Sequence, residues 1–149
     1  PSSDGSPRSR DWTRFLAETE TAYSEGMRAY LRDELKLRVP MIDSQISWGG
    51  LTAMRRERSM DFADNHAYWN HPTFKGGDWN PNDYFVTRSA LVNEWGGSYG
   101  TLGSLARDRV LGRPYAVSEY DHPAPSDVVS EMMPLAYSFG AWQNWDAIY

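Results

Sequence analysis

The feature that most constrains this chain is an alternation of helical patterns with short apolar runs. Over residues 11–36, apolar side chains recur at steps of three and four residues, the spacing of one face of a helix. That face carries Trp12, Phe15, Leu16, Tyr23, Met27, Tyr30, Leu31 and Leu35. Three further helices are predicted. The first ends near Arg58, the second is stopped by Gly112, and the third begins near Pro125 and is kinked at Pro134.

Four short apolar runs alternate with these helices, over residues 39–45, 60–72, 114–123 and 145–149, and the second of them runs into a loop rich in polar and aromatic groups. Each suits a buried parallel strand whose carboxyl end opens to solvent. Residues 73–98 between the second and third runs show little regular pattern and predict a long functional loop. Helices alternating with strands predict an α/β fold with a parallel sheet. The first ten residues have no apolar periodicity and are predicted to form a disordered tail ahead of a domain spanning residues 11–149.

Charge and composition exclude several classes of partner. Lys and Arg number 15 against 20 Asp and Glu, a net charge of −5, which favours neither nucleic acid nor an anionic membrane. No apolar run approaches the roughly 20 residues of a membrane span. Cysteine is absent, so disulfides and thiolate chemistry are excluded. Seven Trp and nine Tyr suit either core packing or stacking on sugars. A neutral ligand fits this composition better than a charged one.

Polar side chains stand at the carboxyl ends of three predicted strands, where parallel α/β folds bind ligands. The first strand ends in Asp43, Ser44 and Gln45. The second places Asp64, His66 and Tyr68 on one face by two-residue alternation, and the third leads to Glu119. We therefore expect these side chains to line one pocket.

Three motifs follow one another in a recognisable order: Asp64-Asn-His-Ala-Tyr-Trp-Asn-His-Pro72, Val117-Ser-Glu-Tyr-Asp-His-Pro123 and Trp145-Asp-Ala-Ile-Tyr149. Together they resemble strands six, seven and eight of clan A retaining glycoside hydrolases, in particular family 5-like members. The resemblance covers residues 11–149. It implies a (β/α)₈ barrel, of which this chain forms the C-terminal half, a half TIM barrel of about four parallel strands.

The resemblance also implies roles for single residues. Glu119 matches the nucleophile, and His66 or Tyr68 matches the residue that orients it. Trp69 and Trp79 are candidates for a sugar-binding wall, with Asp64 and Gln45 as further substrate-binding residues. The implied substrate is an oligo- or polysaccharide with β-glycosidic linkages, and the chemistry needs neither a cofactor nor a metal.

The acid/base Glu of clan A lies at the end of the fourth strand, and no strand precedes the helix over residues 11–36. We therefore expect little or no hydrolase activity from the chain alone. Open sheet edges predict a partner, either the N-terminal half-barrel or a second copy in a homodimer. A polysaccharide-degrading parent is expected to be secreted or periplasmic. The alternative is a non-catalytic, self-associating half-barrel that binds carbohydrate or is purely structural.

Simpler interpretations stay open for several residues. Glu119 alone fits a solvated carboxylate, and His66 fits a structural hydrogen-bonding role. His71 and His122, each followed by Pro, fit loop-fixing roles. A metal site using Asp64, His66, His71, Asp121 and His122 is the rival constellation, but its spacing matches no compact zinc signature. Arg55, Arg56 and Arg58 predict a solvated basic face.

Overall fold

The computed structural model describes residues 5–46, 49–76, 79–93 and 100–149, with backbone alone for Leu51. The chain divides into two compact units. The first comprises Pro1–Asp64 and Arg109–Tyr115, and the second comprises Asn65–Asp108 and Ala116–Tyr149. The fold is mixed α/β with a three-stranded parallel sheet, which confirms the predicted class.

The first unit opens with a long helix, α1 (Pro7–Ala29), which continues as a π-helical turn over Tyr30–Glu34. The side chain of Ser6 caps α1 by accepting a hydrogen bond from the backbone N–H of Ser9 at 3.2 Å, and proline suits the first helical position. The helix therefore begins inside the segment that we predicted to be a disordered tail. The prediction for residues 1–4 lies outside the described residues.

The apolar face predicted for α1 exists, but it points to solvent. The buried residues of α1 are Ala17 and Ser24, and α1 packs against the short helix α2 (Ala53–Glu57), which follows a 3₁₀ turn at Gly50–Thr52. The exposed apolar side chains of the helix are Trp12, Phe15, Leu16, Tyr23, Met27 and Tyr30. The helix packs through its small residues and leaves its large ones uncovered.

The first predicted strand, residues 39–45, is an irregular segment, so the prediction of a strand there is wrong. Pro40 has no N–H to give to a ladder, and Val39 is exposed. The segment is held at Met41 instead, whose N–H donates to the Asp61 carboxylate at 2.8 Å and whose carbonyl accepts from the Asp61 N–H at 3.0 Å. Asp61 also pairs with Arg28 at 2.7 Å and with Arg32. A side-chain anchor therefore replaces strand pairing.

The other three predicted strands are present. They are β1 (Ala63–Tyr68), β4 (Tyr115–Asp121) and β5 (Ala147–Ile148), with β4 in the centre of the sheet. The N–H of Trp69 donates to the carbonyl of Asp121 at 2.9 Å, which ties the carboxyl end of β1 to that of β4. β5 pairs in parallel with the beginning of β4. The carboxyl ends of β1 and β4 consequently lie at the same edge of the sheet.

The predicted long loop of the second unit contains a small hairpin, β2 (Thr73–Phe74) and β3 (Tyr84–Phe85), followed by a 3₁₀ turn at Leu91–Asn93. Helix α3 (Gly100–Arg107) comes next, and its residues Leu102 and Leu105 enter the core of the unit. Residues 77–78 and 94–98 of the predicted loop lie outside the described residues.

The last helix, α4 (Met132–Trp142), follows a 3₁₀ turn at Val129–Glu131. Pro134 lies in its first turn, where no N–H is needed for an intrahelical bond, so the expected kink is not required there. Gly140 allows α4 to approach β5 closely, because a Cβ atom at that position would lie 2.7 Å from Cδ1 of Ile148. No helix in the described part of the chain is long and apolar enough to cross a membrane.

Candidate functional site

The candidate site lies in the second unit, on the face shared by the carboxyl ends of β1 and β4. Glu119 is exposed near the end of β4, with 54% of its side-chain surface accessible. The hydroxyl of Tyr68, the last residue of β1, donates a hydrogen bond to Oε2 of Glu119. Nδ1 of His66 lies 3.9 Å from the same oxygen. The structure thus brings together all three residues predicted for the reacting centre.

The electrostatics of the site keep Tyr68 a hydrogen-bond donor. Its bond to Glu119 is the largest influence and raises the pKa of Tyr68 to about 12, with smaller contributions from burial and from the negative charges of Glu119 and Asp121. The phenol therefore stays protonated throughout the physiological pH range. In the described part of the chain, the side-chain hydrogen bond to Glu119 goes to Oε2 and none goes to Oε1.

A row of rings leads away from Glu119. Tyr68 meets His71 edge to face at 5.8 Å between centroids, and His71 meets Trp79 at the same distance. The row continues from Trp79 to Phe74 at 5.3 Å and from Phe74 to Tyr84 at 5.8 Å. Trp79 is 73% exposed and has a left-handed backbone conformation with φ of 61°. The indole of Trp79 thus forms an accessible apolar surface, which His71 connects to Tyr68.

Trp69, the other tryptophan predicted for a sugar wall, is 8% exposed. Its indole N–H donates to the carbonyl of Ser89 at 2.8 Å, and the side chain of Asn70 donates to the same carbonyl at 3.0 Å. The Ser89 hydroxyl in turn donates to Oδ1 of Asn70 at 2.9 Å. Trp69 and Asn70 therefore fix the loop after β1, and the buried ring of Trp69 presents no face to a ligand.

Asp64 and Gln45 belong to the first unit. Asp64 is buried near the beginning of β1. Gln45 has a φ of 64°, and its backbone carbonyl accepts a hydrogen bond from Arg56 at 2.9 Å. His66, Tyr68 and Glu119 belong to the second unit.

The first unit also buries a charged network that the sequence did not reveal. Arg56, predicted to lie on a solvated face, is 4% exposed and pairs with Glu20 at 2.8 Å and with Asp43 at 3.2 Å. That prediction is wrong for Arg56, while Arg55 and Arg58 are exposed as expected. Glu57 beside it is fully buried, and neither of its carboxyl oxygens is hydrogen-bonded to a described side chain.

Burial is the largest influence on Glu57 and raises its pKa to about 7, while the neighbouring Arg56 opposes the shift and the carboxylates of Asp43 and Asp64 add to it. A carboxyl group with such a pKa has the acidity of a general acid. Its complete burial gives it no access to a substrate, however, so we assign it to the stability of the first unit.

The histidines and acids considered for a metal do not converge. Within the described ranges, no group of three or more His, Asp or Glu side chains is placed to hold a metal ion. His122 is buried, and its Nε2 lies 3.1 Å from the hydroxyl of Tyr120. Burial lowers the pKa of His122, which favours the neutral ring and suits the loop-fixing role.

Phe74, Tyr84 and Asp121 lie near residues predicted for the site, although the sequence analysis assigned none of the three to sugar binding. Asp121 shares the exposed face of β4 with Glu119 by two-residue alternation. Phe74 and Tyr84 face each other in register across the hairpin. The available signal was the pair of aromatic residues flanking a turn-rich segment, which is typical of a β-hairpin.

Comparison with known proteins adds no assignment: no family model, curated protein or solved structure matches the chain.

Proposed function

We propose that the Glu119 site is the nucleophile site of a retaining β-glycoside hydrolase, and that this chain forms the C-terminal half of its (β/α)₈ barrel. The observation that carries the proposal is the hydrogen bond from Tyr68 to Oε2 of Glu119 across neighbouring strand ends. An accessible carboxylate held through one oxygen, with the other oxygen available, is the arrangement that nucleophilic attack requires.

In the proposed mechanism, Oε1 of Glu119 attacks the anomeric carbon of the sugar while the glycosidic bond to the leaving oxygen breaks. The product is a glycosyl ester on Glu119, which water then hydrolyses to return the carboxylate. Tyr68 fixes the carboxylate during both steps, and His66 adds a polar neighbour at 3.9 Å. A second carboxyl group, about 5 to 5.5 Å from the first in retaining enzymes, protonates the departing oxygen and then activates water.

We infer that the second carboxyl group comes from a partner that completes the barrel, either an N-terminal half-barrel or a second copy of the chain. The sheet supports this inference because β1 and β5 are its two edge strands. Edge strands of a parallel sheet are normally paired or covered. A closed barrel removes both edges.

The substrate we propose is an oligo- or polysaccharide with β-glycosidic linkages. The row of rings from Tyr68 to Tyr84 supports this proposal, because the apolar faces of sugars stack on aromatic rings. The row is long enough to contact more than one sugar unit of a chain. Among the aromatic side chains of the row, Trp79 offers the largest open surface.

A second candidate, a non-catalytic carbohydrate-binding half-barrel, is favoured by the openness of Glu119. Catalytic carboxylates normally work in sites from which water is excluded, whereas more than half of this side chain is accessible. The two candidates differ in whether Glu119 reacts or only binds.

An activated substrate separates these candidates without requiring the second carboxyl group. Dinitrophenolate leaves without protonation, so a 2,4-dinitrophenyl β-glycoside tests the nucleophile alone. We expect dinitrophenolate release that Glu119→Gln abolishes and that the exposed control Glu18→Gln leaves unchanged. If the chain binds oligosaccharides but releases dinitrophenolate from no member of a panel of dinitrophenyl glycosides faster than buffer does, the result supports the binding module and contradicts the enzyme.

A further inference from the structure

The uncovered face of α1 has the spacing of a helix-pairing surface. Trp12, Leu16, Thr19, Tyr23, Gly26 and Tyr30 follow one another at alternating steps of four and three residues. All six are exposed, and Tyr23 at the middle is 70% accessible. The same alternation of steps marks the contact line between two helices packed side by side, and here it extends over almost three heptads. We call these six residues the α1 seam.

We propose that the α1 seam is a homodimer interface, in which α1 of one chain packs antiparallel against α1 of a second copy. In that arrangement Trp12 lies opposite Tyr30 of the partner's seam, Leu16 opposite Gly26 and Thr19 opposite Tyr23. A two-fold axis then generates every layer twice, as closed pairs of identical subunits require.

Size complementarity favours this register. In the two inner layers a large side chain meets a small one, because Tyr23 faces Thr19 and Leu16 faces Gly26. Nothing lies within 4 Å of a Cβ atom built at Gly26, so the space in front of this glycine is open to a side chain from the other copy. Interdigitation of large and small residues is how packed helices reach interior density.

Charge complementarity favours the antiparallel direction. Arg8 near the amino end of α1 and Asp33 and Glu34 at the other end are exposed, and none of the three forms an ion pair with another described residue. Antiparallel pairing places Arg8 of each copy beside the two carboxylates of the other. In a parallel pair, Arg8 lies beside Arg8 of the other copy, and each large aromatic side chain of the seam lies opposite its own equivalent. That arrangement creates like-charge repulsion and loses the match of large to small side chains.

This dimer is separate from the barrel-closing partner discussed above. All strands of a barrel run in one direction, so a two-fold axis that closes two halves keeps equivalent helices parallel. The antiparallel α1 pair stands or falls independently of the proposed hydrolase function.

Sedimentation equilibrium tests the interface on the whole chain. We expect a dimer whose dissociation constant rises at least about tenfold in Tyr23→Lys, because two charges enter the central layers. The matched control is Leu111→Lys, at a fully exposed apolar residue outside the seam. Arg8→Glu should weaken the dimer, and adding Asp33→Arg and Glu34→Arg to it should restore the dimer. Far-ultraviolet circular dichroism checks that each variant folds.

The register is tested by disulfide trapping, which the cysteine-free chain makes unambiguous. An equimolar mixture of Thr19→Cys and Tyr23→Cys chains should cross-link to the mixed dimer, whereas Trp12→Cys alone should not. A wild-type chain that stays monomeric to about 100 µM, or efficient cross-linking of Trp12→Cys to itself, overturns the proposal.

Discussion

The hydroxyl of Tyr68 donates a hydrogen bond to Oε2 of Glu119, joining the end of β1 to the exposed face of β4. This bond depends on parallel pairing, because the N–H of Trp69, one residue after Tyr68, donates to the carbonyl of Asp121, two residues after Glu119. The sheet register therefore positions the two side chains. Loss of the phenol oxygen leaves this register intact and removes the bond alone.

We predict that Tyr68→Phe slows reaction of Glu119 with dinitrophenyl glycosides by about ten- to a hundredfold, because a hydrogen bond to a charged group contributes about 1.5 to 3 kcal/mol. Stopped-flow absorbance of dinitrophenolate measures this rate. Tyr137→Phe is the control, since Tyr137 lies on α4 outside the ring row and its hydroxyl contacts the backbone carbonyl of Ile148. Equal slowing in both variants contradicts a positioning role for Tyr68.

Trp79→Ala is predicted to weaken binding of soluble β-linked oligosaccharides by about tenfold, because it removes the largest open face of the ring row. Isothermal titration calorimetry measures the affinity. Trp142→Ala is the matched control, since Trp142 is similarly exposed, at 77% against 73% for Trp79, but lies on α4. Unchanged affinity in Trp79→Ala rules out this ring as a sugar platform.

The strands that carry the site were predictable from the sequence, while residues 39–45 were not. The runs that became β1 and β4 have buried residues at consecutive positions, the pattern of a strand covered on both faces. Residues 39–45 have a similar apolar content, but Pro40 and the side-chain anchor at Asp61 hold them outside the sheet. Composition does not distinguish these cases, because the anchor lies 20 residues away from Met41 in sequence.

Arg56→Ala is predicted to lower the free energy of unfolding by about 3 to 5 kcal/mol, because it leaves Asp43 and the buried Glu57 without their cation. Urea denaturation followed by tryptophan fluorescence measures the change. Arg55→Ala, next to it on the exposed side of α2, should stay within about 0.5 kcal/mol of the wild type. Comparable losses in the two variants exclude a special role for the buried network.

Glu57 predicts a specific pH dependence of stability. Its pKa is about 7 in the folded chain against an ordinary value of 4.5, so the folded state binds the proton more tightly than the unfolded state. The associated stability is fully present below pH 4.5 and is lost as pH rises through about 7, a change on the order of 3 kcal/mol.

Glu57→Gln keeps a neutral side chain of the same shape and should remove most of this dependence. We expect the variant to be more stable than the wild type at pH 8 and similar to it at pH 5, as measured by urea denaturation at both values. The free energy of unfolding of the wild type should therefore fall between pH 5 and 8. A wild type whose stability rises over that interval in step with the variant contradicts the raised pKa.

Two features of the first unit show why a helical pattern does not say which face is buried. The spacing in α1 correctly predicted a helix with an apolar face, yet the structure buries Ala17 and Ser24 instead. Arg55 and Arg56 in α2 and Arg58 at its C-terminal cap had the same predicted environment, yet of these three only Arg56 pairs with Glu20 and Asp43. Burial depends on which element packs against a helix, and residue spacing carries no information about that neighbour.

Covalent trapping tests the central proposal, that Glu119 is a glycosidase nucleophile, most directly. A 2,4-dinitrophenyl 2-deoxy-2-fluoro-β-glycoside carries a leaving group that needs no acid, and its fluorine slows hydrolysis of the glycosyl ester. Mass spectrometry of the intact chain should show the addition of one fluoroglycosyl group. Peptide mapping should place it on Glu119, and Glu119→Gln should not react. A chain that binds these sugars and yet acquires no adduct, or acquires it on another residue, contradicts the account.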